Sequence, residues 1–350
     1  MKQNRIIPLL LVIIVGGVFF SSCMHNGNPT NHESTTGKSL TNKEILNSTT
    51  LTIKDLDSLI RKNPFNDTLF YKRSKLQLVR KNINEAINDL ELAIKVDSNK
   101  PDYYIELANL YILKAKSEKS RDLLMAATRR FKDNHKVFTE LGKLYFLVQE
   151  YNKAHKTLDK AIDLYPYDAH AYYFKAMAYL ETQDTSKAKY FFNKAIETQP
   201  DFYDGYIMLG AIALAQKDSL AGEYFKTAIR LDSTSTEAHY SLGYFYQTVA
   251  KNYPAAVKEY EYILDRIDST FANAYFNIGY LILFHTNHYK DAIPYFKKAL
   301  QYDSLNADAL VNIGIAYKWA NMRDSAKYFL LQSLKIKPNY ERAITEINKL

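Results

Sequence analysis

An all-α solenoid of about eight helix–turn–helix repeats is the fold class that the sequence predicts. Small residues recur at Ser74, Ala108, Gly142, Ala176, Gly210, Gly243, Gly279 and Gly314, 34 residues apart four times and then 33, 36 and 35. A second small slot follows in each later half-repeat, at Ala86, Ala154, Ala188, Ala221, Ala256, Ala292 and Ala326. Pro166, Pro200, Asp232 and Pro338 then stop the second helix near the end of its unit. A unit of this length cannot bury its apolar face alone, so neighbours must stack.

Residues 1–22 read as a secretory signal. Lys2 and Arg5 precede a nearly unbroken apolar run from Ile6 to Phe20. As a helix that run spans about 22 Å, short of the roughly 30 Å hydrocarbon core of a bilayer. It ends in Phe20-Ser21-Ser22-Cys23, and Cys23 is the one cysteine of the chain, which excludes intrachain disulfides. The stretch resembles a bacterial lipoprotein signal. That resemblance implies lipidation at Cys23, with several acyl chains that satisfy the need for more than one lipid in stable anchoring. An uncleaved membrane anchor and an ordinary cleaved signal with a free thiol are the alternatives.

Residues 23–50 are rich in Asn, Thr and Ser and lack aromatics, so they cannot bury enough apolar surface to order themselves. As a flexible tether they would reach roughly 30 Å. Loss of the signal removes Lys2 and Arg5 from a net charge of +8, leaving a mildly basic mature chain. Such a charge suits anionic headgroups, wall polymers or acidic proteins, or simply solubility, and export argues against nucleic acid. In some bacterial phyla, acids just after the lipidated cysteine direct a lipoprotein to the cell surface. Here the first acid is Glu33, which favours the outer membrane facing the periplasm.

The segment 51–66 reads as an N-terminal capping helix, 67–340 as the eight repeats, and 341–350 as a C-terminal capping helix. In the last, Ala343, Ile344, Ile347 and Leu350 form one apolar stripe. The run Phe138-x-x-Leu141-Gly142-x-x-Tyr145, followed by Ala154, Leu158, Ala161 and Pro166, resembles the tetratricopeptide repeat. The resemblance implies a right-handed superhelix with the first helices lining a concave groove that holds other molecules. It is expected that the small residue admits the second helix and that the second-helix alanine faces it. Tyr104, Tyr111, Tyr145, Tyr172, Tyr179, Tyr206, Tyr275 and Tyr317 stand in slots that the repeat reserves for packing.

In this family the residues three before and one after the small residue point into the groove. The rule selects Tyr71 and Lys75, Thr139 and Lys143, Tyr173, Tyr240 and Tyr244, and Phe276 and Tyr280, among others. Asn277 and Asn312, two before the small residue, join the aromatic C-terminal repeats. Tyr173, Tyr240, Tyr244, Phe276, Asn277, Tyr280 and Asn312 are therefore the expected partner-binding groove. Lys75 and Lys143 are its expected basic part. Tyrosine offers flat apolar area at small entropic cost, and asparagine can pair with a peptide backbone or a sugar hydroxyl. Packing of these aromatics on one another is the competing expectation. The family's clamp for a C-terminal carboxylate needs Asn where Lys75 and Lys143 stand, so it is not expected here.

Three successive turns look irregular: Gln216 to Ser219, Lys251 to Pro254, and His285 to Tyr289. They mark either a binding edge or drift in tolerant loops. His285 and His288 lack a cysteine or acidic cluster that would complete a zinc site. Ser186 and Lys189 mimic the start of a penicillin-binding motif without its other parts. No cofactor, metal or catalytic constellation is expected. The sequence reading is a membrane-tethered scaffold for envelope proteins, homo-oligomeric or not, with a module binding wall glycan or polysaccharide as the alternative.

Overall fold

The computed structural model describes residues 51–350. The signal at 1–22 and the stretch from Cys23 to residue 50 lie outside the described residues. Every regular element among the described residues is helical, and a lead helix α1 (Ile53–Lys62) comes first. The first four repeats are α2 (Asp67–Val79) with α3 (Ile83–Val96), α4 (Pro101–Leu113) with α5 (Ser117–Arg130), α6 (His135–Leu147) with α7 (Tyr151–Leu164), and α8 (Ala169–Glu181) with α9 (Thr185–Thr198). The next four are α10 (Tyr203–Ala215) with α11 (Leu220–Leu231), α12 (Thr236–Thr248) with α13 (Tyr253–Tyr262), α14 (Ala272–His285) with α15 (Tyr289–Tyr302), and α16 (Ala307–Trp319) with α17 (Arg323–Ile336). A last helix, α18 (Glu341–Asn348), follows. The chain forms two compact units that divide between Gly205 and Tyr206, in the first turn of α10.

Helix starts are written into the turns. Asn66, Asn134, Asp168, Ser235 and Asn306 each accept a backbone N–H at the start of a first helix. Thr52 and Asp55 form a capping box on α1. The proline or aspartate that ends one repeat thus stands just before the residue that begins the next.

The two helices of a repeat approach so closely that the small slot has no alternative to a small residue. A Cβ on Gly142 would lie 2.5 Å from Leu158 Cγ, and one on Gly210 2.5 Å from Phe225 Cε1. Gly243 meets Tyr260 and Gly314 meets Leu330 in the same way, at 2.7 and 2.6 Å. The side chain opposite the small residue is therefore the bulky one four positions after the alanine, not the alanine itself. The alanines are fully buried beside it. In the second repeat Ser120 takes the alanine slot, and its Oγ donates to the carbonyl of Ala108 at 3.0 Å.

The turn inside each repeat is equally regular. After α2, the N–H of Lys81 donates to Leu78 O and that of Asn82 to Gln77 O, which satisfies the last carbonyls of the helix. The residue in the left-handed conformation is Lys81 here and Ala115, Gln149, Gln183, Lys217 and Asn321 in the equivalent turns, with φ of 55–63°. The turn at Lys217 is thus regular, contrary to its irregular look in the sequence. Its repeat is one residue short only at the start of α11, where Ser219 is helical and gives no side-chain cap. In the sixth repeat Lys251 lies one residue later, and α13 ends in a π-turn, Ile263–Ile267, closed by Asp268 N–H on Ile263 O. These two extra residues account for the 36-residue spacing. The seventh repeat takes its extra residue at the end of α14, which runs one residue longer than the other first helices, to His285.

Two substitutions test these contacts. Gln149→Gly relieves a left-handed strain of about 1–2 kcal/mol and adds roughly 0.4–1 kcal/mol of unfolded-state entropy, so stability in chemical denaturation should rise by about 0.5–1 kcal/mol. Gly210→Ala gains about 1 kcal/mol of helix propensity but overpacks Phe225 at a cost of about 1–3 kcal/mol. A net loss of about 1 kcal/mol is expected, and a gain would mean that the Phe225 ring moves aside freely.

Candidate partner-binding face

In the N-terminal unit the expected groove positions are occupied by one another. The Tyr71 ring stacks on Tyr103 at 4.8 Å, and its hydroxyl donates to Glu106 Oε1 at 2.6 Å. Burial, and then the Glu106 charge, push the Tyr71 hydroxyl far above its ordinary pKa. Lys75 pairs with the same carboxylate. Lys143 Nζ donates to Asn109 Oδ1 at 3.1 Å and to Glu140 Oε2 at 3.2 Å. Thr139 Oγ1 donates to Asp168 Oδ2 at 2.6 Å, the same carboxylate that caps α8 and contacts His135 Nδ1. Tyr173, only 4% exposed, is packed among Phe174, Phe192 and Phe202. Glu106 and Glu140, two before their small residues, balance the two lysines, so neither stands as an unpaired cation.

The slot just before the small residue holds Leu107, Leu141, Leu209, Leu242, Ile278 and Ile313, but Arg73 and Lys175 in two repeats. Arg73 bridges Asp57 at 2.7 Å and Asp89 at 2.5 Å. Lys175 pairs with Asp159, and its ammonium lies 4.5 Å from the centre of the Phe191 ring. Burial, and then Lys175, lower the pKa of the neighbouring His155 from its ordinary 6.5. These cations bind helices to one another.

The C-terminal unit differs. Tyr240 and Phe276, three before their small residues, lean on the bulky residues of their own second helices, Tyr260 at 5.8 Å and Phe296 at 5.7 Å. Asn277 Nδ2 donates to the Tyr240 hydroxyl at 3.2 Å and so ties α14 to α12. Burial raises the pKa of that hydroxyl, and the Asn277 bond offsets part of the rise. Tyr244 stacks beside Tyr240 with ring centres 6.5 Å apart, and Tyr280 lies 4.6 Å from Phe284. Both remain partly exposed, and among the described residues neither hydroxyl makes a hydrogen bond.

Asn312 is placed differently from its expected partners. It is fully buried beneath α18, where Arg342 Nη2 donates to its Oδ1 at 2.5 Å while Arg342 Nη1 reaches Asp308 at 3.0 Å. Lys318 Nζ donates to Glu346 Oε2 at 2.9 Å from the other side. The last helix therefore covers the face of α16, and the open aromatic surface is that of α12 and α14. The two histidines of the seventh turn go separate ways: His285 stacks on Tyr253 at 3.9 Å, and His288 contacts Asp291 at 3.3 Å.

Family models of the tetratricopeptide repeat match residues 169–202 and 283–345. These two segments are tetratricopeptide repeats, and the other helix pairs share their fold. Its fold is similar to the C-terminal part of a TPR repeat-containing protein from Cytophaga hutchinsonii, with a TM-score of 0.58 and 16% identity over 69% of this chain and 99% of that one. The human IFIT1 dimer with PPP-AAAA is similar at a TM-score of 0.53 and 15% identity, over 85% of this chain and 69% of that one. The Cut9–Hcn1 hetero-tetramer of the APC/C gives a TM-score of 0.52 and 17% identity over 85% of this chain, which spans 58% of the length of that one. At these identities the likeness is one of fold. No curated protein sequence matches the chain.

The tetratricopeptide groove rule missed the next turn of the same helices. Phe284 and Trp319, five after their small residues, extend the stripe of Phe276 and Tyr280 by one turn, and their rings meet edge-on at 5.5 Å. The four-residue spacing of Phe276, Tyr280 and Phe284 was the available signal.

The seat of α18 makes a pH prediction. Burial alone would raise the Glu346 pKa, but Lys318 and Lys349 outweigh it and hold the carboxyl below its ordinary 4.5. A depressed carboxyl contributes its stability above its unfolded pKa and loses it as pH falls through the lower folded value. Side-chain NMR titration should give Glu346 a midpoint below 4.5, and Lys318→Gln should move it upward. An unchanged midpoint in that variant would show that the bridge is not formed in solution.

Proposed function

We propose that this chain is a membrane-tethered scaffold of the bacterial cell envelope, in which an extended protein segment lies along the aromatic face of α12 and α14. The observation that carries this reading is the pair Tyr244 and Tyr280. Each is held by a neighbouring ring, partly exposed, and left with an unused hydroxyl among the described residues. Rings already fixed in place lose little freedom when a partner covers them. The alternative of a glycan surface relied in part on Lys75 and Lys143, and both lysines are paired with acids.

In this proposal attachment runs through a lipidated Cys23, in the outer membrane facing the periplasm. The anchor is assigned to the N-terminal segment on its sequence alone, and no helix among the described residues is long and apolar enough to cross a membrane.

Tyr244→Ala combined with Tyr280→Ala should weaken capture of the partner by a few kcal/mol at most, with the chain still folded by circular dichroism. In-cell crosslinking from a photoreactive residue at Tyr280, read by mass spectrometry, would name that partner. Full retention of every partner by a folded double variant would reject the face. Cys23→Ala should move the chain from the membrane fraction to the soluble fraction, and persistence in the membrane would reject the lipid anchor.

A further inference from the structure

Where the aromatic stripe ends, the C-terminal unit forms an open cleft of about 540 Å³. Its apolar wall is Phe284, Tyr289 and Trp319, whose rings touch at 5.5 and 5.2 Å and fix the indole between them. Trp319 stays 40% exposed despite these contacts. Asn287 and Asn321 stand on the lining with amides that can both donate and accept. The lining also carries Lys318, Arg323 and Lys349, and no aspartate or glutamate side chain.

The side-chain charge here is not balanced from within. Lys318 and Lys349 share one carboxylate, Glu346, at 2.9 and 3.3 Å. Arg323 has no carboxylate partner among the described residues. The N-terminal unit shows the opposite habit, with an acid beside Lys75, Lys143 and Lys175. A rigid aromatic wall, paired amides and surplus cations together describe a receptor for an apolar side chain presented on a negatively charged backbone segment.

We infer that this pocket receives an aromatic or large apolar anchor residue of an acidic protein segment. The inference rests on reading the α12–α14 face as protein-binding, because Tyr280 and Phe284 run from that face into the pocket wall. It adds a position, a charge and an anchor to that reading. Neither the groove rule nor the carboxylate clamp supplies the position, since the pocket is formed by the end of α14 and the turn after it, the start of α15, the end of α16, the start of α17 and the residues after α18.

Trp319 is the one tryptophan of the chain, so its fluorescence reports the pocket directly. The full chain is titrated with a blocked peptide holding one phenylalanine between runs of aspartate. A saturable shift of Trp319 emission is expected, weakening as salt rises. Replacing the peptide's phenylalanine with alanine, or its aspartates with lysine, should lower affinity at least tenfold. Arg323→Glu with Lys349→Glu should do the same, and the milder Arg323→Gln should act in the same direction if the charge reversals disturb α18. No saturable change, or equal binding of the lysine peptide, overturns the inference. Saturation by an acidic oligosaccharide but by no peptide also overturns it and makes the pocket a glycan site. Tyr244→Ala with Tyr280→Ala separates the two readings. If that variant keeps peptide binding at Trp319 but also keeps its cellular partner, the face fails and the pocket stands. If the partner is lost while no peptide moves Trp319, the face stands and the pocket fails.

Discussion

At Gly210 the edge of the Phe225 ring occupies the space that a methyl group would need, and the other four glycines of the small slot, Gly142, Gly243, Gly279 and Gly314, meet a leucine, tyrosine or phenylalanine of their own second helix. The separation of the two helices in a repeat is set at this point. Once it is set, the second-helix alanine is buried beside the contact, and the residue three before the small one leans on the same bulky side chain. Tyr173 on Phe192, Tyr240 on Tyr260 and Phe276 on Phe296 repeat that arrangement at 5.6–5.8 Å. A close-packed interior transmits such a constraint because neighbouring side chains have no slack to absorb a change. The conformation of the aromatic face is thus decided at the helix–helix contact behind it.

Repeat length varies without disturbing that contact. The short fifth repeat loses its residue at the start of α11, the sixth gains one in the turn and one in the π-turn at Ile263–Ile267, and the seventh gains one at the end of α14. All the changes fall at helix ends or in turns, away from the small residue and the bulky residue that faces it. Length is absorbed where backbone hydrogen bonds can be re-registered, and the packing register stays fixed.

The two units use the same slots for different chemistry. Around Lys75, Lys143 and Thr139, polar side chains find partners on the adjacent first helix, so that surface is internally satisfied. Around Tyr244 and Tyr280 the rings are positioned by packing and their polar ends are unused. An acid two residues before the small slot, Glu106 or Glu140, makes the first outcome, and asparagine at Asn277 helps make the second. Surplus positive charge collects instead at Lys318, Arg323 and Lys349, where the turn of the seventh repeat opens a cavity beside Trp319.

The all-helical repeat fold was legible in the chain because its periodicity is local: a small residue, an alanine and a helix stop recur within each unit. The packing tyrosines and the aromatic character of the C-terminal repeats were legible for the same reason. The sequence could not show that Phe225, not Ala221, faces Gly210, because both lie on the same face of α11, one turn apart, and only the stacking of the two helices decides which of them meets the glycine. It could not show that Lys75 pairs with Glu106 or that Lys143 reaches Asn109, since those partners are identified only when helices lie side by side, whereas Glu140 stands three residues before Lys143 on the same helix. Nor could it place Asn312 under Arg342, which comes 30 positions later and reaches it only through the fold of α18. Trp319 joins Phe284 and Tyr289 for a like reason, across two repeats. Periodicity along one chain determined which residues build the helices and their stacking, whereas the partners of each polar or aromatic side chain were decided by contacts between helices far apart in sequence.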